Sequence, residues 1–163
     1  MTPHREKMID RAEGALYGLA IGDALGMPSQ TLPHHVIRER YGRIEGFVAP
    51  FEGHPISHGL KAAQVTDDTE QRLLLAARRI AEPDGFDDTQ WARDLLAWEV
   101  DIRARGLRDL LGPSTNLALD ALLAGVSPRE TGLNGTTNGA AMRIAPVGIM
   151  TPPDPARLVA RVV

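Results

Sequence analysis

The sequence predicts an all-α fold, and three observations support that prediction. Apolar residues recur at helical spacing, most clearly over 91–102, where they follow the i, i+4, i+7, i+11 pattern of an amphipathic helix. Residues that begin and end helices stand at the borders of such segments. No segment shows the alternation of apolar and polar residues that a half-buried strand requires. The stripe over 91–102 consists of Trp91, Leu95, Trp98 and Ile102.

The first 65 residues are predicted to contain two helices and a long loop. A helix is expected over 7–25, because Met8, Leu16 and Leu19 recur beside a face of glycines spaced four apart. Glycines at that spacing weaken an isolated helix and suit a close approach of another backbone. A second helix is expected over 33–41. The segment 42–65 is rich in glycine, proline and histidine, and a loop of that length is usually functional or mobile.

Helical segments resume at residue 67. Over 67–81, Asp67 and Glu70 can form a capping box, and the predicted buried stripe is Leu73, Leu74, Ala77 and Ile80. A helix over 114–124 is expected to end at Gly125. Asp154 precedes a proline and is expected to cap a last helix. The length of 163 residues, with 43% hydrophobic and 24% charged residues, suits a single domain over 1–163.

Composition excludes several classes of protein. Eighteen basic residues against 21 acidic ones give a net charge of -3, so we expect no nucleic-acid partner. The absence of cysteine removes disulfides, thiolate nucleophiles and thiolate metal sites. The charged N-terminus is unlike a signal peptide, and no run of about 18 apolar residues could span a membrane. A cytoplasmic protein without a membrane partner is therefore expected.

The segment 65–70 is the strongest candidate for a chemical site. Its two adjacent carboxylates, Asp67 and Asp68, and the hydroxyl of Thr66 are hard oxygen ligands, which suit Mg²⁺ or Mn²⁺ better than zinc. Adjacent side chains on a regular helix diverge, so these two carboxylates can converge only where the backbone is still turning into the helix. The alternative is an ordinary acidic first turn.

Two further motifs are weak when taken singly. Gly22–Gly26 reads Gly-Asp-Ala-Leu-Gly, which also suits helix packing followed by a turn. The segment 135–143 is a small polar loop that opens into a helix and could receive an anion at the free N–H groups there. It has no P-loop lysine, so no nucleotide motif applies. The histidines over 34–58 are expected to be solvated loop residues and not metal ligands.

Taken in order, the three motifs resemble the ADP-ribosylglycohydrolase family. They are Gly22–Gly26, then Thr66-Asp67-Asp68-Thr69, then Asn138-Gly139-Ala140-Ala141-Met142-Arg143. The resemblance implies an orthogonal helical bundle with two Mg²⁺ or Mn²⁺ ions at the foot of a cleft. It also implies a hydrolase that cleaves an N- or O-glycosidic bond of ADP-ribose adducts, with an ADP-ribosylated substrate or a related small molecule as its ligand.

The resemblance assigns roles to particular positions. Thr66, Asp67 and Asp68 correspond to metal ligands, and the two aspartates also correspond to catalytic residues. Gln30 stands where many relatives carry a glutamate that contacts the reacting ribose, and an amide can hydrogen-bond there without exchanging a proton. The loop over 134–142 corresponds to the part that holds the diphosphate and distal ribose. The substrate-binding residues implied in that loop are Gly135, Thr136, Thr137, Asn138, Gly139 and Met142.

Members of that family usually carry further metal ligands in an Asp-x-Asp-Thr motif late in the chain. No such pattern occurs between Arg143 and Val163. The resemblance therefore predicts an apparently truncated domain, with a missing C-terminal half as a partner, and an isolated chain that is catalytically silent and self-associates. Two alternatives are a non-catalytic ADP-ribose or nucleotide-binding module and a helical interaction domain.

Overall fold

The computed structural model describes residues 2–107 and 111–162, and helices dominate these ranges. Within them the chain forms nine α-helices and no strand, which confirms the predicted all-α class. A 3-10 turn, Met27–Ser29, follows the first helix directly. The helices are α1 Pro3–Gly26, α2 His34–Tyr41, α3 Asp67–Ala81, α4 Asp88–Ala104, α5 Pro113–Leu123, α6 Pro128–Thr131, α7 Gly139–Arg143, α8 Ala145–Met150 and α9 Pro155–Val162.

The chain divides into two compact units, one ending at Thr69 and the other beginning at Glu70. Helix α3 begins in the first unit and continues into the second. The assignment of the whole chain to one domain stays a prediction. None of the helices within 2–107 and 111–162 has the length and apolar character needed to cross a membrane. The cytoplasmic location also stays a prediction.

Helix α1 is longer at its start than the sequence predicted. The hydroxyl of Thr2 accepts a hydrogen bond from the Arg5 backbone N–H at 3.4 Å, and Pro3 occupies the first turn, where no N–H is needed. The close approach expected at the glycine face is not found within the first unit. Apart from the adjacent residues and backbone of α1 itself, no atom of that unit lies within 4 Å of where a Cβ would stand on Gly14, Gly18 or Gly22.

The long loop after α2 is held by aromatic and polar contacts. The Phe51 backbone N–H donates to the Tyr41 hydroxyl at 3.1 Å, and the Arg40 guanidinium lies 4.7 Å from the centre of the Phe51 ring. The His54 ring lies on the same aromatic cluster, 5.4 Å from Phe51 between ring centres. These contacts fix part of a segment that composition alone describes only as a loop.

The expectation that the histidines are solvated is wrong for His54. Only 1% of this residue is exposed, whereas His34, His35 and His58 are exposed. Its Nδ1 accepts backbone hydrogen bonds from Ile56 at 3.1 Å and Ser57 at 2.8 Å. Burial, followed by the charge of His58, lowers the pKa of His54, and the backbone of Pro28 partly offsets that effect. These hydrogen bonds require Nδ1 to carry no hydrogen, and they satisfy that nitrogen inside the protein.

In the second unit, the predicted stripe of α4 forms the centre of the hydrophobic core. Leu95, Trp98 and Ile102 are buried there together with residues from the segment that follows and from α5. Trp91 packs against this cluster while partly buried. The prediction of an amphipathic α4 is therefore confirmed. The buried members of the cluster are Leu95, Trp98, Ile102, Leu111 and Leu119.

The stripe predicted to be buried on α3 is wrong at three of its four positions, while Leu74 packs against the core and is partly buried. Leu73 is 53% exposed and Ile80 is 73% exposed, and Ala77 is exposed as well. The buried positions of α3 in the second unit are Gln71, Arg72, Leu75 and Arg79. The arginines can be buried because their guanidinium groups donate to backbone carbonyls. Arg72 donates to the carbonyl of Met142, and Arg79 donates to the carbonyls of Pro83 and Gly85.

Glu70 was expected to pair with Asp67 in a capping box. In the structure its side chain accepts hydrogen bonds from Trp98 of α4 and from Arg105, the residue after that helix. Its carboxylate accepts from Trp98 Nε1 at 2.8 Å and from the Arg105 guanidinium at 2.8 and 2.6 Å. Burial by itself would raise the pKa of Glu70. The hydrogen bonds from Arg105 and Trp98, with the charge of Arg105, outweigh burial and lower that pKa.

The helix ends that the sequence marked are confirmed. Gly125 follows α5 with a φ of +84°, a backbone conformation that glycine adopts without strain. Asp154 Oδ1 accepts from the backbone N–H groups of Ala156 at 2.9 Å and Arg157 at 3.2 Å and so caps α9. The short helices α6 and α8 were not predicted, since neither is long enough to show a periodic pattern.

Candidate functional site

The first unit contains a polar cluster in which one carboxylate organises a whole turn. Asp23 lies in the last turn of α1 and accepts hydrogen bonds from both Thr66 and Thr69. From Thr66 it receives the backbone N–H and the hydroxyl, each at 2.8 Å. From Thr69 it receives the backbone N–H at 3.3 Å and the hydroxyl at 2.6 Å. Asp23 therefore fixes both ends of the turn 66–69.

The position of Asp23 has a physical reason. The first N–H groups of any helix have no partner within the helix, and a carboxylate is favoured beside them by the helix dipole. Thr69 is the third residue of α3, so Asp23 caps α3 from a distant part of the sequence. Thr66 is 2% exposed and Thr69 is 5% exposed, and Asp23 satisfies donors that burial would otherwise make costly.

The two adjacent aspartates follow directly from this fixed turn. The Asp68 backbone N–H donates to the Thr66 hydroxyl at 3.4 Å, and the same hydroxyl lies 3.5 Å from Asp68 Oδ2. Asp67 is 8% exposed. The turn lies where the chain enters α3. Two neighbouring carboxylates can serve one ion only at such a place, because adjacent side chains on a regular helix diverge.

A cleft of about 380 Å³ in the first unit brings the first two motifs together. Gln30, from the segment after the 3-10 turn, lies at the same cleft as Thr66 and Asp68. Asp67 is not among the residues that line it. The lining residues are Leu19, Gly22, Asp23, Gly26, Met27, Gln30, Thr66 and Asp68.

The donor chemistry of the turn beside this cleft fits a hard divalent cation. Thr66, Asp67 and Asp68 offer only oxygen, the donor that Mg²⁺ and Mn²⁺ prefer. Across residues 2–107 and 111–162, however, no three Asp, Glu or His side chains lie close enough together to hold a metal ion. An octahedral ion at this turn would therefore need water or ligand oxygens at its remaining positions.

The side chain of Gln30 is held by a buried serine that the sequence analysis did not single out. Gln30 Nε2 donates to Ser57 Oγ at 2.5 Å, and Ser57 Oγ donates to the Met27 carbonyl at 3.0 Å. Ser57 lies in the loop after α2, and no sequence signal marks it. Asp23 could have been found from the Gly-Asp-Ala-Leu-Gly motif, because a carboxylate among small residues at a helix end is unusual unless it binds something.

The loop predicted to hold a diphosphate lies in the second unit. The Thr136 backbone N–H donates to Ser114 Oγ at 3.0 Å. The Met142 carbonyl accepts from buried Arg72 of α3. Helix α7, which the loop enters, has only five residues, so the predicted helix start is a single short turn. Asn138 is exposed.

Part of this loop lines a second cleft, of about 280 Å³. Gly135, Thr137 and Gly139 line it, and Arg143 supplies a positive charge. The other predicted binding residues of the loop, Thr136, Asn138 and Met142, are not among the lining residues. Small residues at this position leave the backbone accessible to a ligand.

The sequence model of the ADP-ribosylglycohydrolase family matches residues 4–163. The chain belongs to the ADP-ribosylglycohydrolase family. The motifs on which the resemblance depended all lie inside the matched segment, and the all-α architecture agrees with the fold expected of the family.

Three relatives illustrate the extent of the similarity. The YegU protein of Escherichia coli is 37% identical over 144 residues, which are 88% of this chain and 42% of the relative. The ADP-ribosylarginine hydrolase Tri1 of Pseudomonas putida is 34% identical over 155 residues, 91% of this chain and 38% of the relative. The ADP-ribosyl-(dinitrogen reductase) glycohydrolase of Rhodospirillum rubrum is 33% identical over 156 residues, 91% of this chain and 47% of the relative. The chain spans less than half the length of these relatives.

Proposed function

We propose that the first-unit cleft binds the reacting ribose of an ADP-ribose adduct and contributes to metal-dependent cleavage of its N- or O-glycosidic bond. The observation that carries this proposal is the turn 66–69, held by four hydrogen bonds to Asp23 beside a cleft that also contains Gln30. Family membership supports a hydrolase. Relatives are named as hydrolases of ADP-ribosylarginine and of ADP-ribosylated dinitrogen reductase.

Thr66, Asp67 and Asp68 are the residues that would hold Mg²⁺ or Mn²⁺. A bound ion would orient the ribose hydroxyls and a water and would stabilise negative charge on oxygen. The family resemblance implies two ions in a complete site, and this turn would supply ligands for part of that centre. Asp23 would act beside the ligands by holding the hydroxyl and backbone of Thr66 in place.

The side chains of this chain also suit the charge that develops during the reaction. Cleavage of a glycosidic bond builds positive charge on the anomeric carbon. The carboxylates of Asp67 and Asp68 would stabilise that charge, because both residues belong to the turn that Asp23 holds. Gln30 would contact a ribose hydroxyl or a water, and its amide would orient that group without taking its proton.

The loop over 134–142 is the proposed contact for the diphosphate and distal ribose. Gly135, Thr137 and Gly139 would let the ligand approach the backbone, and Arg143 of the same cleft would attract the negative charge of the diphosphate. Thr136, Asn138 and Met142 stay part of this proposal through the family resemblance.

A non-catalytic ADP-ribose-binding module is the second candidate. Two observations favour it for this chain taken alone. The described residues bring together no group of three carboxylates or imidazoles, and Gln30 cannot act as an acid or base. Both candidates require ADP-ribose to bind, and they differ in whether the bond is broken.

Calorimetry of the full 163-residue chain with ADP-ribose, with and without Mn²⁺, tests the proposal. We expect binding that strengthens with Mn²⁺ and loses this dependence in Asp68→Asn. The control is Asp10→Asn on an exposed part of α1. Absence of ADP-ribose binding to the unmodified chain contradicts both candidates.

A parallel assay of ADP-ribosylarginine hydrolysis in Mn²⁺ separates the two candidates. We expect no turnover by this chain alone, because positioning of ribose and water by a complete metal centre is a large part of the rate. Metal-dependent turnover by a monodisperse monomer would show that the chain forms a working site by itself.

A further inference from the structure

We infer that Ser57 is a positioning residue that fixes the side-chain amide of Gln30, so that position 30 presents its carbonyl oxygen to the ligand and selects a hydroxyl group. This inference rests on the proposed function, because it names the chemistry that the same cleft recognises. Neither the family match nor the sequence motifs assign a role to Ser57.

The hydroxyl of Ser57 has one hydrogen, and the structure shows where that hydrogen goes. Ser57 is fully buried, with 0% of its surface exposed. Its Oγ lies 3.0 Å from the Met27 carbonyl, which can only accept, so the hydroxyl hydrogen points to that carbonyl. The same oxygen can then only accept from Gln30. The group of Gln30 that faces Ser57, at 2.5 Å, must therefore be the NH₂ and not the carbonyl.

The surroundings of Ser57 keep this arrangement fixed. The Ser57 backbone N–H donates to His54 Nδ1 at 2.8 Å, and the His54 ring is itself buried. The Met27 carbonyl also accepts the Gln30 backbone N–H at 3.4 Å. The backbone and the side chain of Gln30 are thus both tied, directly or through Ser57, to one carbonyl group. Rotation of the amide by half a turn would place two acceptors against each other unless the serine hydrogen left the Met27 carbonyl.

The orientation of the Gln30 amide decides which groups of a ligand this side chain can bind. With one hydrogen of its NH₂ bound to Ser57, Gln30 offers Oε1 as its acceptor at a cleft that also contains Thr66 and Asp68. An acceptor attracts a hydroxyl group and disfavours a phosphate oxygen, which can only accept when ionised. Position 30 therefore suits the sugar part of the ligand, where hydroxyls are the available donors.

The same geometry explains why glutamine suits this chain at position 30. A glutamate there would place a carboxylate oxygen against Ser57 Oγ, and the serine hydrogen would have to turn toward it. The Met27 carbonyl would then keep only the longer bond from the Gln30 backbone N–H. Ser57 and the amide of Gln30 are thus matched as acceptor and donor.

The first test observes the amide directly. In the full chain labelled with ¹⁵N-glutamine, the four glutamine NH₂ groups are distinguishable, and Gln30→Glu identifies the pair from position 30. We expect that pair to exchange slowly with solvent and to lose this protection in Ser57→Ala. Ser29→Ala is the matched control, because that nearby hydroxyl donates to the Gly26 carbonyl instead. Unchanged Gln30 signals in Ser57→Ala would overturn the inference.

The second test uses ADP-ribose and ADP as probes in the presence of Mn²⁺. Loss of one positioned hydrogen bond should weaken ADP-ribose binding by about three- to tenfold in both Ser57→Ala and Gln30→Ala. Binding of ADP, which lacks the terminal ribose, should not change. If the variants weaken the binding of ADP-ribose and of ADP equally, Gln30 does not contact the terminal ribose, and the proposed selectivity for a ribose hydroxyl is overturned.

The outcomes for this inference and for the proposed function are distinguishable. If the unmodified chain binds no ADP-ribose, the proposed function fails and so does the selectivity for ribose. If the chain binds ADP-ribose, but Ser57→Ala binds it equally well and keeps the Gln30 amide protected, the role of Ser57 fails while the proposed function stands.

Discussion

The turn 66–69 and the loop 134–142 were both marked by motifs, yet they are built in opposite ways. The turn is fixed by a carboxylate of another helix that accepts four hydrogen bonds. The loop is mostly exposed, and its Thr136 backbone N–H donates to Ser114 Oγ of α5. Its end is held through the Met142 backbone by Arg72.

Within the proposed function, each region suits a different task. Groups that hold a metal ion or a reacting ribose must be in position before the reaction, and a fixed turn provides that. A loop of small residues that contacts a diphosphate can adapt, since backbone N–H groups accommodate more than one arrangement of phosphate oxygens. The turn of the first unit and the loop of the second unit are thus built by different structural means.

Removal of Asp23 should give the largest effect. Asp23→Ala leaves the buried donors of Thr66 and Thr69 without an acceptor, so we expect the free energy of unfolding to fall by about 2–4 kcal/mol. Asp23→Asn keeps one acceptor oxygen and should cost less. Urea denaturation measures both, with Asp10→Asn on α1 as the control.

The variant Asp23→Asn also tests the assignment of the metal ligands. If the turn holds Mn²⁺, Asp23→Asn should weaken Mn²⁺ binding by about tenfold or more, because partners of metal ligands set their orientation. Calorimetry at fixed pH is the measurement. Mn²⁺ binding that stays unchanged in a folded Asp23→Asn chain would place the ion elsewhere.

Arg72→Met should have the next largest effect. Arg72 is 6% exposed and donates to the Met142 carbonyl. Methionine fills similar space without the hydrogen bonds, so we expect a loss of about 1–3 kcal/mol. Hydrogen exchange should rise over 139–143, at the end of the loop, and not over the turn 66–69. A rise confined to the turn would contradict the contrast between the two regions.

Glu70→Gln should change the pH dependence of stability more than the stability near neutral pH. The pKa of Glu70 in the folded chain is lowered from 4.5. Its contribution is therefore present above pH 4.5 and is lost as the pH falls from there through the lowered pKa. Urea midpoints measured from pH 6 downward should fall less steeply in Glu70→Gln. Equal slopes would show that Arg105 and Trp98 do not stabilise the charged form.

The smallest effect is expected for Ser114→Ala. This change removes the acceptor of the Thr136 backbone N–H, but Thr136 is exposed and water can replace the serine. The free energy of unfolding should change by less than about 0.5 kcal/mol. A loss above about 1 kcal/mol would show that the loop is as firmly held as the turn.

The long helices were predictable from the sequence for a definite reason. Their borders carry local signals, such as the capping Asp154 and the stop at Gly125, and the core of α4 follows a clear periodic stripe. The buried face of α3 was not predictable. Its arginines are buried because distant backbone carbonyls accept from them, and no local pattern announces such partners.

The candidate site was likewise predictable from the sequence only in part. The types of residue over 66–68 indicated a hard cation, since carboxylates and hydroxyls define the ligand chemistry whatever the fold. The partner that holds them, Asp23, lies more than forty residues away in the sequence. Ser57, which fixes Gln30, is 27 residues from it and has no distinguishing neighbours.

The sequence by itself determined the helical class, the family and the chemical types available at the cleft, because composition, periodicity and motifs are local properties of the chain. Only the tertiary structure decided which hydrogen bonds those residues make. A hydroxyl such as that of Ser57 can donate or accept, and its role is settled when folding places a carbonyl on one side and an amide on the other.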